Sequence, residues 1–393
     1  MSGRIVITGA GIISAIGVGK EETLRSLTAR RSGVGSLRHL QTAHSDLPCG
    51  EVNMSDKEFK AFLGIPADRV VPRTTLFGII AVKEALEEAG VKGSDHSALI
   101  SGTTVGGMDV TERHYLQGDD QSHFRLHDCG SCTNEIADFF GGFGLVTTIS
   151  TACSSAANSI MLGADLIRSG RCDVVVAGGA ECLTRYHLNG FNSLKILDSE
   201  PCRPFDANRN GLNLGEGAGF VILESEEHAL KRCAHPLAVL DGYGNACDAF
   251  HQTASSDDGE GAFLAMSKAL NMSGLRPSDI DYVNAHGTAT PNNDASESRA
   301  MIRLFGDKVP SVSSTKAFTG HTTSAAGSIE AVICLLALRH GFIPANLNWK
   351  EPFDGGVIPE AEGREGVRLD HVLCNSFGFG GNDSSLLISR YDK

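Results

Sequence analysis

Strand-like and helix-like hydrophobic segments alternate along this chain, and that alternation restricts the fold more than any single motif does. Leu145-Val146-Thr147-Thr148-Ile149 and Asp173–Ala177 are apolar and rich in β-branched residues, as expected of strands covered on both faces. Leu76–Gly90 carries Ile79, Ile80, Val82 and Leu86 at helical spacing. Ser155–Ser169 does the same with Ile160, Leu162, Leu166 and Ile167, and Gly170 supplies the stop. Strands interleaved with helices predict a layered α/β protein. At 393 residues the chain exceeds what one core supports, so two core-forming units are expected. Phe220-Val221-Ile222-Leu223 closes the first, a charged helix spans Glu224–Arg232, and Leu237-Ala238-Val239-Leu240 opens the second. That reading divides the chain into 1–235 and 236–393.

Composition excludes several classes. A net charge of −13 argues against nucleic-acid binding. With 46 glycines and 21% charged residues, the chain suits a large packed protein rather than a disordered one. No N-terminal run suits a signal peptide and no apolar stretch approaches membrane-spanning length. Eleven scattered cysteines without a secretion signal point to a reduced, cytoplasmic protein. Cys129 and Cys132 have C-x-x-C spacing, with His123 and His127 nearby. A metal site would need a second such pair or converging side chains, so none is expected. Gly9-x-Gly11 lacks the third glycine and the acidic residue of a dinucleotide loop.

The chemistry concentrates in four places. Cys153, in Ser150-Thr151-Ala152-Cys153-Ser154-Ser155, falls between a strand and the first turn of a helix. There, unpaired N–H groups and the helix dipole are expected to favour thiolate. Most cysteines are simply small buried hydrophobes, and position alone changes that only modestly, so the other three segments decide. Asn284-Ala285-His286-Gly287-Thr288-Ala289-Thr290 follows a strand at Asp281-Tyr282-Val283. Ser314-Thr315-Lys316-Ala317-Phe318-Thr319-Gly320-His321 runs on to Glu330, and Asn375-Ser376-Phe377-Gly378-Phe379-Gly380-Gly381-Asn382-Asp383 lies near the end. Two histidines in small-residue loops, one beside a lysine, are hard to assign to packing alone.

Taken in order with Val6–Gly11, Ala177–Glu181, Arg203-Pro204-Phe205-Asp206, Gly215–Gly219 and Asp248–Thr253, these segments resemble the β-ketoacyl-acyl-carrier-protein synthases, the decarboxylating Cys-His-His condensing enzymes. The similarity runs nearly end to end. It implies a thiolase-like fold, two βαβαβαββ halves forming a five-layer αβαβα sandwich, although no repeat is visible in the letters. It also implies Cys153 as nucleophile for acyl transfer from a carrier thioester. The backbone N–H groups of Cys153 and Phe379 would then form the oxyanion hole, with room provided by the glycines around Phe379. His286 and His321 would stabilise the enolate left by CO2 loss from a malonyl thioester, and Lys316, matching the family's lysine, would orient them, paired with Glu330. Thr253, Thr288, Thr290, Phe379 and Gly380 would bind the pantetheine arm and acyl chain, Phe379 as a gate. Asp294 and Glu297 would be structural. No cofactor or metal is needed, because decarboxylation itself creates the carbon nucleophile.

The partners implied are an acyl carrier protein and a second subunit, either another copy or a chain-length-factor-like chain. An acidic carrier must dock against a repulsive overall charge, and Arg25, Arg30, Arg31, Lys57 and Lys60 are candidate contacts. The family's Gly-Phe-Gly-Gly-Thr-Asn reads Asn382-Asp383 here, Asn210 stands where aspartate is usual, and 108–152 is unlike the housekeeping enzymes. These departures bear on the acyl-chain pocket more than on the reaction, and set a specialised pathway, such as aryl-polyene or type II polyketide synthesis, beside fatty-acid synthesis as an alternative. The polar stretch from Met108 to Phe139 is expected to be irregular. A thiolase would carry a second cysteine where Ser376 and Phe377 stand, with Cys374 just before them. A type III enzyme would have asparagine for His321, and a non-catalytic carrier-binding scaffold has no use for an intact Cys-His-His set.

Overall fold

The computed structural model describes residues 3–115 and 121–392, so part of the expected irregular stretch (116–120) lies outside the described residues. Ten strands carry the architecture: β1 (Ile5–Ser14), β2 (Ser97–Gly102), β3 (Leu145–Ile149), β4 (Val174–Glu181), β5 (Gly217–Ser225), β6 (Ala238–Cys247), β7 (Tyr282–Asn284), β8 (Ser311–Ser313), β9 (His371–Gly378) and β10 (Asn382–Arg390). They hydrogen-bond in the order β3-β2-β4-β5-β1 and, continuing across a short β1–β6 contact, β6-β10-β9-β7-β8. Read from its far end, β8-β7-β9-β10-β6, the second series repeats the first with every strand number raised by five. The pairing senses repeat too. β1–β5 and β4–β5 are antiparallel, as are β6–β10 and β9–β10, while β2–β4, β2–β3, β7–β9 and β7–β8 are parallel.

Seven helices complete the layers: α1 (Arg73–Ala89), α2 (Cys129–Phe139), α3 (Ser155–Arg168), α4 (Arg185–Ser193), α5 (Glu260–Ser273), α6 (Pro291–Phe305) and α7 (Ala326–His340). Helices α3 and α7 lie together between the two sheets, with α1 and α2 outside the first and α5 and α6 outside the second. This is the five-layer αβαβα, thiolase-like sandwich. Helix α7 is buried without a break from Ala326 to Leu338, as a helix in the middle layer must be when both faces meet a sheet. Gly9 and Gly11 are inside β1 rather than in a loop. A Cβ on Gly11 would fall 2.0 Å from the Ala81 carbonyl oxygen, so these glycines let β1 approach α1.

Several expectations need correction. Strand β3 is half-buried along its whole length, because it is the outer strand of its sheet and one hydrogen-bonding edge is open. The Met108–Phe139 stretch is largely helical, with helices at Met108–His114 and Cys129–Phe139 and a 3-10 turn at Gln121–Leu126. The charged helix expected over Glu224–Arg232 is shorter, Glu226–Lys231, since Glu224 belongs to β5 and bonds Arg232, His228 and Thr8 from there.

Candidate active site

Two of the loops that enter the middle layer are equivalent in the repeated topology. The β3–α3 loop carries Cys153, and the β8–α7 loop carries Lys316 and His321. The β7–α6 loop adds His286, and the β9–β10 hairpin adds Phe379. Residues 168 positions apart in sequence thus meet: His321 Nε2 is 3.1 Å from Cys153 Sγ. The His286 and His321 rings lie edge to face with centroids 5.2 Å apart. Lys316 Nζ is 3.3 Å from His286 Nδ1 and 2.6 Å from Glu330 Oε1, all of it buried.

The cysteine turn is held open by its neighbours. Ala152 sits at φ 51, a left-handed conformation uncommon for a side-chain-bearing residue. The Ser155 hydroxyl donates to the Ala152 carbonyl (2.7 Å) and accepts from Thr151 N–H (2.9 Å), closing the turn on itself. Cys153 precedes the Ser154 N-cap and so lies just outside the first helical turn. Its electrostatics also differ from the expectation. Burial raises the thiol to about 11, outweighing Lys316 and the Phe379 N–H that faces the sulfur. Cys153 therefore rests as a thiol beside a histidine.

Both imidazoles are held well below their ordinary pKa, first by burial and then by Lys316, so both rest neutral. Because the Lys316 ammonium donates to His286 Nδ1, the proton of that ring resides on Nε2. Glu297 fixes the His286 loop, accepting from His286 N–H (2.9 Å), Gly287 N–H (2.8 Å) and Asn375 Nδ2 (3.1 Å). Asp294 does the same one turn away for Ala289 N–H (3.1 Å) and Phe205 N–H (2.7 Å). Burial lifts Glu330 to about 7 in spite of its lysine, and lifts Glu297 to about 7.

Cys153, His286 and His321 line one cavity of about 310 Å³. Thr253, Thr288, Thr290 and Phe379 line it as well. Thr288 and Thr290 are joined hydroxyl to hydroxyl at 2.9 Å, while Thr253 stands exposed at the mouth. Gly380 is at the exposed edge, its N–H bonded to Gln252. A Cβ on Gly378 would come 3.0 Å from Cys153 N, so glycine there keeps the space beside that N–H clear. Sequence reading missed Phe191, whose ring stacks on Phe379 at 5.8 Å, and Phe377, 5.8 Å from His286. The i, i+4 pair His187 and Phe191 on α4 was the available signal. Among the candidate carrier contacts, Arg30 pairs with Glu362 and Lys60 bonds the carbonyls of Ala67 and Arg69, so neither presents a fully free charge.

With this geometry in view, comparison with known proteins is direct. Residues 2–229 match the beta-ketoacyl synthase N-terminal domain and residues 237–350 the beta-ketoacyl synthase C-terminal domain. The chain is 34% identical to 3-oxoacyl-[acyl-carrier-protein] synthase 2 of Vibrio cholerae, covering 98% of this chain and 99% of that one. A solved ishigamide ketosynthase/chain length factor superposes with TM-score 0.92 at 33% identity, covering 100% of each chain. A type II polyketide ketosynthase solved in complex with its acyl-carrier protein and bound to the hexaketide superposes with TM-score 0.88 at 25% identity, again over 100% of each chain. Sequence, fold and relatives agree: the chain belongs to the β-ketoacyl synthase family of acyl-transferring condensing enzymes.

Proposed function

We propose that the chain is a β-ketoacyl-acyl-carrier-protein synthase in which Cys153, His286, His321 and Lys316 perform the chemistry. Cys153 Sγ attacks the acyl thioester of a carrier protein, a new C–S bond forms, and the carrier thiol leaves with the proton. The oxyanion of that step is held by the Cys153 and Phe379 N–H groups. Malonyl-carrier then loses CO2, and its enolate oxygen accepts from the imidazole N–H groups of His286 and His321. The enolate carbon attacks acyl-Cys153, giving the β-ketoacyl thioester and regenerating the cysteine. Lys316 with Glu330 fixes His286, Asp294 and Glu297 shape its loop, and Thr253, Thr288, Thr290, Phe379 and Gly380 line the substrate path. The convergence of one thiol and two neutral imidazoles at a single buried cavity carries this reading. In this scheme 1–235 supplies the nucleophile and 236–393 the decarboxylating groups.

The test is a carbon balance. Purified protein given acyl-carrier and [14C]malonyl-carrier should release labelled CO2, and mass spectrometry should find the acyl group on Cys153. Absence of both from active-site-intact protein refutes the reading and returns the scaffold alternative.

A specialised pathway with a chain-length-factor-like partner is the second reading. It is favoured by the likeness to the ishigamide ketosynthase/chain length factor and by the open edge of β3, which can pair with a second subunit. A carrier-free oligomer measurement decides it: a stable homodimer active alone supports the first reading, and activity only after adding a partner chain supports the second. We place this work in the cytoplasm; no helix among the described residues is long and apolar enough to cross a membrane.

A further inference from the structure

We propose that His187 is a specificity-determining residue that sets how far an acyl chain on Cys153 can reach, by backing the Phe191 ring that walls the cavity. This rests on the acyl-transfer reading above. His187 and Phe191 are one turn apart on α4, and their rings meet edge to face at 6.1 Å and 90°. Phe191 lines the cavity and stacks on Phe379 at 5.8 Å and 20°. His187 does not line it; it stands behind, 6% exposed. The three rings form a row, His187–Phe191–Phe379, that ends at the N–H facing the Cys153 sulfur.

Phe191 packs against an apolar cluster of Leu183, Leu188, Leu212 and Leu214, while His187 stands nearer to polar groups, with Glu181, Glu112 and His321 within electrostatic reach. Phe191 is only partly buried by that cluster, so its ring has room to turn unless something rigid stands behind it. Backbone and ring of His187 are each anchored. Its backbone N–H donates to the Thr184 N-cap hydroxyl at 3.0 Å, which fixes the start of α4, and its ring faces the Cys182 carbonyl. A planar ring braced on that carbonyl gives Phe191 a hard stop, where a flexible aliphatic side chain would yield.

The consequence is a length cut-off. His187→Ala removes the stop, lets Phe191 swing back, and extends the space beyond the sulfur. Each methylene accommodated or refused in an apolar pocket changes rate about 10-fold or more. The experiment measures acylation of Cys153 by a series of acyl-carriers of increasing length, by intact-protein mass spectrometry. Wild-type protein should show a sharp fall at one length. His187→Ala should move that fall to longer chains, raising acylation just past the wild-type limit about 10-fold, while His187→Phe should move it to shorter ones. Should His187→Ala not fold, His187→Asn, shorter than histidine and still polar, carries the same expectation. A purely structural histidine would change all lengths by one factor, and that result, or an unmoved cut-off in both variants, overturns the proposal. Wild-type protein that accepts no acyl chain of any length would instead refute the acyl-transfer reading.

Discussion

Lys316→Met tests the electrostatics of the site most directly, because the pair it breaks is almost wholly out of water. The Lys316 and Glu330 side chains are 1% and 3% exposed, their charged atoms are 2.6 Å apart, and Glu330 Oε2 has no other partner. Removing one member of such a pair costs about 3–5 kcal/mol when the other stays charged. Glu330 has an escape, since it can take up a proton, and that makes the loss pH-dependent. Its folded pKa, about 7, lies above the ordinary 4.5. The folded state therefore binds more protons than the unfolded state between those values, and stability is lost as pH rises through that window. In wild-type protein this loss levels off near pH 7. Without the lysine the folded pKa moves higher and the loss continues, so the difference between variant and wild type should grow by up to about 1.4 kcal/mol per pH unit. Asp383 (about 8) and Glu297 (about 7) titrate in both proteins and cancel from the difference. Urea denaturation at pH 7, 8 and 9 can be followed by the fluorescence of the single tryptophan, Trp349, whose indole N–H bonds the Phe205 carbonyl. Lys316→Met/Glu330→Gln, with no carboxylate left to titrate, should show no such slope. A constant difference between Lys316→Met and wild type across the range would refute the argument.

Three more outcomes are expected from the same geometry. Cys153→Ala should abolish formation of the acyl-enzyme while leaving measurable CO2 release from malonyl-carrier, because the imidazoles carry that step; undiminished acylation, read by mass spectrometry, would eliminate this sulfur as nucleophile. His286→Ala and His321→Ala should each lower decarboxylation about 10²–10³-fold, the usual loss for one fixed donor, measured as labelled CO2. Gly11→Ala would drive a methyl group into the Ala81 carbonyl, 2.0 Å away, and should destabilise by about 1–3 kcal/mol or more by pushing α1 off β1; a melting temperature equal to wild type would show that the strand and helix part freely.

Local features are the ones legible in the sequence. The loops around Cys153, His286, His321 and Phe379 announce themselves because tight turns and close backbone approach demand glycine and small residues at particular places. The αβ layering is legible because periodicity reports which faces are covered. The internal repeat is not, because it is a repeat of pairing order: β7 has three residues against six in its counterpart β2, and nothing in the letters aligns them. Helix α2 is obscured because Gly130, Ser131 and Asn134 dilute its buried stripe of Cys132, Thr133, Ile136 and Ala137. The openness of β3 cannot be read at all, since Leu145–Ile149 has the composition of a covered strand and only the sheet order puts it outermost. The state of the thiol is hidden for a related reason. A helix N-terminus is visible in sequence, but the depth at which it is buried belongs to the tertiary fold, and here burial outweighs the positive groups that face the sulfur.

That depth bears on how the proposed reaction is driven. At rest Cys153 is protonated, both imidazoles are neutral, and the lysine is tied to Glu330. Had the imidazoles been cationic, they would grip the carboxylate of malonyl-carrier and stabilise the ground state as much as the transition state. Neutral N–H donors in a buried cavity attract that carboxylate weakly, yet in the proposed scheme they meet the enolate charge where it appears, and His286 is already oriented by Lys316 and by the loop that Glu297 and Asp294 hold. Burial is therefore the source of selectivity between the two states: it removes charge from the resting site while leaving donors in place for the charge that decarboxylation creates. The same burial stops protonation of the rings until pH falls well below their ordinary value, so the imidazoles should impose no pH dependence on decarboxylation through neutral pH; a step near pH 7 would report Glu330 and Glu297, and a fall in acid the imidazolium forms.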